Sequence, residues 1–310
     1  ANVLCCRSPE HMTWVPMMYT QTAIDQRHLT FSRELVNDVL GGTRDSGSIF
    51  LPTGEPVDNG PTTGQRMAIY ATEAPALALR ATRQAFEISG FNPKVITHLV
   101  TVSCTGFKAP GVDYALIQEL GLAPTVARTH VGFMGCHGAL NGLRVANAYA
   151  SADPDAVVLL CAVELCSLHY HYGWDPQRIV ANALFADGAA ALIGTSSGPS
   201  DQDWKHVASG SCIIPDSADA MGWVVGDHGF EMSLSKQVPR LIAQNLRPFL
   251  ESWLAKHGLK RQDIGSWAIH PGGPRILEAV EESLELPRSA TTAAREVFAA
   301  NGNMSSPTVL

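Results

Sequence analysis

A layered α/β fold is predicted by three features of this sequence. Two short strand-like runs, residues 95–102 (Val-Ile-Thr-His-Leu-Val-Thr-Val) and 156–163 (Ala-Val-Val-Leu-Leu-Cys-Ala-Val), are rich in apolar and β-branched side chains, as strands buried on both faces are. Segments of helical period alternate with them. A polar stretch, residues 195–203 (Thr-Ser-Ser-Gly-Pro-Ser-Asp-Gln-Asp), reads as the connection between two units, 1–195 and 205–310. Strands buried on both sides need helices to cover them, which gives a layered architecture.

In chain order, the strand at 95–102 is followed by a helix over 113–122, with Tyr114, Leu116, Ile117 and Leu120 at helical spacing. A second helix is expected over 139–150, and the strand at 156–163 ends where Glu164 interrupts the apolar run. Beyond the polar connection, residues 238–257 form an amphipathic helix carrying Leu241, Ile242, Leu246, Leu250 and Leu254. A strand over 266–269 then leads through His270 into a helix over 275–284, with Ile276, Leu277, Val280 and Leu284 facing inward. There is no short-period repeat and no low-complexity segment.

Composition excludes several classes of function. Of 310 residues, 45% are hydrophobic and only 16% charged, which fits a packed core and argues against disorder. The net charge of −7 argues against nucleic acid or an anionic membrane as the main partner. The apolar run at 156–163 is far too short to span a bilayer. The first seven residues (Ala-Asn-Val-Leu-Cys-Cys-Arg) lack the basic start and apolar core of a secretory signal. Seven cysteines, at 5, 6, 104, 136, 161, 166 and 212, are odd in number and irregularly spaced. They suggest neither a zinc site nor a disulfide framework, and a reduced, cytoplasmic setting is expected.

Two junctions share one design. Residues 129–135 (Thr-His-Val-Gly-Phe-Met-Gly) run into Cys136 and then a helix; residues 266–269 run into His270, then Pro-Gly-Gly-Pro and a helix. A cysteine at a helix N-terminus is expected to have a lowered pKa that favours thiolate. Gly135, Gly138 and Ala139 leave room for a ligand to approach the backbone. Singly, Cys136 also fits a packed core position, His270 a structural one, and Asn303 a turn or cap, with Ser306-Pro307 as a helix start.

Together they form a pattern. Gly-Cys-His-Gly-Ala around Cys136, Ala-Leu-Phe-Ala-Asp-Gly-Ala-Ala-Ala at 183–191, His-Pro-Gly-Gly-Pro from His270 and Gly-Asn-Met-Ser-Ser around Asn303 resemble the chalcone synthase family of type III polyketide synthases in order and spacing. The resemblance runs from about Ile24 to the last residue. It implies the thiolase-like, five-layer αβαβα fold made of two similar halves, and a homodimer. It implies acyl-CoA starters and malonyl-CoA as substrates, with no metal, flavin or nicotinamide. Cys136 falls on the nucleophile, His270 on its partner, and Asn303 on the second oxyanion donor. In that scheme a thiolate takes up the starter, and imidazolium and amide stabilise the enolate left by decarboxylation. Phe185 and Met232 fall on the two gatekeeper positions, while Gly222 and Ser305 line the pocket. Cys104, Cys166 and His169 replace threonines of the plant enzymes, and Ala181 and Ala186 replace glycines. The resemblance also implies a cis bond at Ala109-Pro110, in a loop that reaches the partner subunit.

The sequence departs from the family where basic residues grip the CoA phosphates. Trp14, Met17 and Gln21 stand there, and Arg27, which is retained, fits a structural ion pair equally well. The family continues past the position of Leu310, so a longer natural chain is expected. The mixed pocket wall points to an aliphatic or malonyl starter and a pyrone, resorcinol or phloroglucinol-like product. Two rivals remain at this stage: a ketoacyl synthase III-type condensing enzyme, and a non-catalytic thiolase-fold subunit that binds acyl-CoA.

Overall fold

The computed structural model describes residues 2–6, 8–55, 57–196 and 203–310. Four helices, α1 (Asn2–Cys5), α2 (Pro9–Thr20), α3 (Arg33–Gly41) and α4 (Thr63–Ser89), precede β1 (His98–Ser103). The chain then alternates through α5 (Val112–Leu120), β2 (Ala127–Gly132), α6 (Gly138–Ala152), β3 (Val157–Leu165), α7 (Pro176–Leu184) and β4 (Asp187–Thr195). A hairpin, β5 (Met221–Gly226) with β6 (Gly229–Leu234), follows, and then α8 (Val238–Ala255), α9 (Pro274–Leu284) and α10 (Thr292–Asn301).

The main sheet has the order β2-β1-β3-β4. β1 runs parallel to both β2 and β3, and β4 closes the other edge antiparallel to β3. Side chains alternate across the sheet, so β1 and β3 feed two cores. Leu99, Leu159, Cys161, Val163 and Leu165 face α4 and pack with Tyr70, Ala74, Ala78 and Phe86. Val100, Val102, Val158, Leu160 and Ala162 face α6 and pack with Ala139 and Ala146. Leu99, Leu159 and Leu160 have no exposed surface, and burying each stabilises the fold by about 1.5–3 kcal/mol. α4 begins with a capping box between Thr62 and Gln65 and stops at Gly90 in the left-handed region.

Several expectations need correcting. β3 does not end before Glu164; it runs through it to Leu165, and the Glu164 carboxylate is fully buried. Cβ atoms added at Gly138 and Gly142 come within 2.9 Å of Val102 Cγ1 and 2.7 Å of Leu160 Cδ1. Gly138 therefore lets α6 lie close on the sheet, and Ala139 is part of that packed core rather than room for a ligand. Residues 266–269 belong to no strand and to neither sheet among the described residues, so the strand expected there is not found. The hairpin β5–β6 was not anticipated. Of the polar connection at 195–203, residues 197–202 lie outside the described residues. The Ala109–Pro110 bond is cis. No helix among the described residues is long and apolar enough to cross a membrane.

Candidate active site

Cys136 is set by a sharp reversal after β2. Phe133 and Gly135 both take positive φ, 57° and 62°, so the chain turns abruptly into the 3₁₀ turn Gly135–His137 and then α6. Asn303 arrives from the other half of the chain. α10 ends at Gly302 (φ 75°), and the next residue joins the end of α7 in a parallel bridge: Asn303 N donates to Leu184 O and Ala186 N to Asn303 O, both at 2.9 Å. The Ser305 backbone N–H donates to Asn303 Oδ1 at 2.8 Å. That contact fixes the amide, whose NH₂ end donates to Gly272 O at 3.5 Å and, together with Ser305, pulls the Cys136 pKa down. Ser305 is itself held at positive φ (60°), with its hydroxyl 3.6 Å from Cys136 Sγ and 3.5 Å from Cys104 Sγ. His270 sits between the irregular 266–269 segment and α9, and both its ring nitrogens are buried without a hydrogen-bond partner.

Beneath this cluster lies Glu164. Its carboxylate accepts from Cys104 N (2.9 Å), Thr105 Oγ1 (2.7 Å), Ser103 Oγ (3.3 Å) and Ser306 Oγ (2.5 Å). These bonds tie the end of β1 to the segment that carries Asn303 and Ser305, so a buried carboxylate organises the floor of the site. Burial pushes the Glu164 carboxyl up, and its donors pull it back.

The expected low pKa at Cys136 is not found. Burial pushes the thiol up to about 11, against the opposing hydrogen bonds from Ser305 and Asn303. Burial alone pulls His270 down to about 4. At neutral pH these shifts favour a protonated Cys136 thiol and a neutral His270 imidazole in the resting site, because desolvation outweighs the helix N-terminus. Cys104, Cys161 and Cys166 are pushed up further still, chiefly by burial, which leaves Cys136 the readiest of the four to ionise.

The thiol and imidazole open on a cavity of about 590 Å³. It brings together Cys136 and His270 with the expected pocket residues Cys104, Cys166, His169, Phe185, Gly222, Met232 and Ser305; Asn303 lies just behind, 1% exposed. His169 cannot act as an acid or base here. Its Nε2–H donates to Thr105 O (2.7 Å) and its Nδ1 accepts from Phe230 N (2.9 Å), while burial pulls its pKa down to about 3. Its ring stacks on Phe230 at 4.2 Å, with Trp223 edge-on at 5.3 Å.

Trp223 and Phe230 were missed in the sequence. Trp223 pairs with Met232 across the β5–β6 hairpin, lines the cavity and donates its indole N–H to Cys104 O at 2.8 Å. The alternation of Trp223 with Val225, and of Phe230 with Met232, was the signal that would have found them. Arg178 also lines the cavity, but Glu231 (2.7 Å) and Asp175 (3.4 Å) neutralise it. Arg27 makes no ion pair among the described residues; it bonds Tyr170 Oη and backbone carbonyls instead.

Comparison with known proteins decides the family. Residues 15–199 match the N-terminal domain of chalcone and stilbene synthases, and residues 206–310 match the C-terminal domain. The chain belongs to the chalcone and stilbene synthase family. It is 37% identical over 250 residues to 1,3,6,8-tetrahydroxynaphthalene synthase of Streptomyces peucetius subsp. caesius, which covers 80% of this chain and 66% of that protein. It is 35% identical over 253 residues to the alpha-pyrone synthesis polyketide synthase-like Pks18 of Mycobacterium tuberculosis, covering 80% of this chain and 64% of the relative. The chain thus spans just under two thirds of these relatives. Among solved structures, PKS-I of the brown alga Ectocarpus siliculosus superposes with a TM-score of 0.83 at 31% identity, over 95% of this chain and 77% of that one. The C-terminal type III polyketide synthase domain of Steely1, from Dictyostelium, gives 0.85 at 28% identity, over 98% and 82%. The thiolase-like fold is that of these type III polyketide synthases.

Proposed function

We propose that this member of the chalcone and stilbene synthase family loads an acyl group from a CoA thioester on Cys136 and extends it with malonyl-CoA. The placing of Cys136 and His270 on one cavity, with the Asn303 amide oriented by Ser305 of the same cavity wall, carries this reading. The His270 imidazole takes the thiol proton as sulfur attacks the starter thioester, and the departing CoA thiolate recovers that proton. Malonyl-CoA then loses its carboxylate as carbon dioxide. The enolate oxygen accepts hydrogen bonds from Asn303 Nδ2 and from the N–H of the neutral His270 ring, in place of the imidazolium expected from the sequence. The enolate carbon attacks the acyl-Cys136 carbonyl, a carbon–carbon bond forms, the carbon–sulfur bond breaks, and the Cys136 thiolate is free for the extended chain. Side chains and CoA thioesters suffice for every step, in a cytoplasmic setting.

The cavity supports a modest product. Trp223, His169 and Phe230 form a rigid aromatic wall, and Met232 leaves an adaptable gate opposite Phe185. An aliphatic or malonyl starter released as a pyrone or as a resorcinol- or phloroglucinol-like ring fits that space better than a flat coumaroyl group. Equal mixtures of coumaroyl-, hexanoyl- and longer acyl-CoA, offered with malonyl-CoA, should yield mainly aliphatic products by mass analysis, and Trp223→Ala should lengthen them. A preference for coumaroyl-CoA, or a Trp223→Ala variant with an unchanged product series, overturns the pocket assignment. Product on acyl carrier protein would instead favour the ketoacyl synthase III-type reading, and no product at all the non-catalytic one.

A two-fold homodimer completes the proposal. The outer edge of β2 has no ladder partner among the described residues. Beside it Phe107, Phe133, Met134 and Leu140 are each 39–49% exposed, an apolar patch that a second copy would cover. Sedimentation at micromolar concentration should give a dimer, shifted toward monomer by Leu140→Asp. A monomeric parent protein rules the dimer out.

A further inference from the structure

We infer that Arg27 is a positioning residue that couples the gate at Phe185 to the oxyanion donor Asn303, rather than a grip for CoA phosphates. This rests on the roles proposed above for those two residues.

Arg27 Nη1 lies 2.5 Å from Asn182 O, 3.2 Å from Tyr170 Oη and 3.5 Å from Phe185 O. Asn182 and Phe185 belong to the C-terminal end of α7, where carbonyls without helical partners favour a cation. The aliphatic stem of Arg27 serves a second purpose. A Cβ added at Gly302 would come 2.9 Å from Arg27 Cγ, 3.2 Å from its Cδ and 3.1 Å from Ala186 Cβ. Arg27, Gly302 and Ala186 are therefore stacked in direct contact, one residue from Asn303 on one side and one residue from Phe185 on the other.

The backbone around Arg27 is stitched to the same two segments. Asp25 N and Gln26 N both donate to Ala299 O in α10, at 2.8 and 3.2 Å. Asp187 N donates to His28 O at 2.9 Å, and Thr30 donates to Asp187 Oδ2 through both its N–H and its hydroxyl. The guanidinium meets no carboxylate among the described residues, and it is shielded by the Tyr19 ring 5.1 Å away. A cation spent on carbonyls, a phenol and an aromatic face is poorly placed to hold a mobile phosphate. It is well placed to hold the Phe185–Asn303 bridge at one height.

Arg27→Met and Arg27→Lys test this with two readouts. Hydrogen exchange followed by mass spectrometry should quicken about tenfold or more at the Ala186 and Asn303 amides in Arg27→Met, with β1 and β3 unchanged. Arg27→Lys should fall between, because its ammonium keeps the charge but not the planar geometry that brings Nη1 to all three oxygens. In kinetics, kcat for malonyl decarboxylation should drop about tenfold to hundredfold. The drop should be equal with malonyl-CoA and with the malonyl thioester of N-acetylcysteamine, which has no phosphates. Unchanged exchange at the bridge overturns the inference. So does a rise in KM for malonyl-CoA alone, with the truncated thioester unaffected, which would be the mark of a phosphate grip. If Arg27→Met does not fold, Arg27→Lys is decided by the same two readouts. Exchange is read on the protein itself, so a parent enzyme that fails to decarboxylate malonyl-CoA sinks the proposed function without deciding the fate of Arg27.

Discussion

Cys136→Ala is expected to abolish chain extension, to below about one part in 10³ of the parental rate, while malonyl-CoA decarboxylation stays measurable. The asymmetry follows from the division of labour in the site. Extension needs sulfur to carry the acyl chain. Decarboxylation needs only hydrogen-bond donors at the enolate oxygen, and Asn303 keeps its orientation through the Ser305 N–H, which the substitution does not touch. Cys104 and Cys166 also line the cavity, but burial and the Glu164 charge hold both thiols further from ionisation than Cys136. Neither should rescue the variant. Labelled starter trapped on Cys104 or Cys166 while Cys136 stays unmodified would reverse the assignment. The resting protonation state gives an independent check. With the thiol pushed up to about 11, the thiolate fraction, and so alkylation of Cys136 by iodoacetamide, should rise about tenfold per unit of pH through the neutral range. A preformed thiolate–imidazolium pair would instead alkylate at a rate independent of pH there.

The sequence made some of this legible because the deciding interactions are local. Continuous apolar runs mark β1 and β3 since both faces of each are buried, and the helices α5, α6, α8 and α9 fall within two residues of their predicted ends. What escaped depends on distant partners. Glu164 reads as a strand terminator until its donors from residues 103–105 and 306 are known. Gly138 reads as room for a ligand until Val102 is seen pressed against it. Trp223 lay hidden in a hairpin whose glycines, exposed valines and charged turn dilute the alternation that marks a strand. The thiol pKa was misjudged because position at a helix start is visible in a sequence and desolvation is not. The motif residues were legible for another reason: Cys136, His270 and Asn303 each sit in a short, conformationally demanding string, and the fold then brings those strings together.

Removing either oxyanion donor is expected to cost about 10²–10³ in malonyl decarboxylation, or about 2.7–4 kcal/mol of transition-state stabilisation. Asn303→Ala deletes the NH₂ that donates to Gly272 O, and His270→Ala deletes the imidazole whose two buried nitrogens have no hydrogen-bond partner. The consequences for the fold should differ. Asn303 is 1% exposed and accepts the Ser305 N–H, so its loss strands a buried donor and costs about 1–3 kcal/mol of stability as well. His270→Ala leaves no protein group unpaired and should be nearly neutral in melting temperature. Asn303→Asp keeps an acceptor for the Ser305 N–H but sets a carboxylate oxygen against Gly272 O and the enolate; it should remain inactive. The pH profile then identifies the form of the histidine. Burial holds the imidazolium pKa down at about 4, so the ring is neutral at every pH well above that value. Decarboxylation should stay level as pH rises through about 6.5, the ordinary histidine value. A rate that falls away through that region would mean that the charged ring is the donor. A rate in Asn303→Ala equal to the parental one would make that residue structural, because the amide is then dispensable for the enolate although its place in the bridge to Phe185 remains.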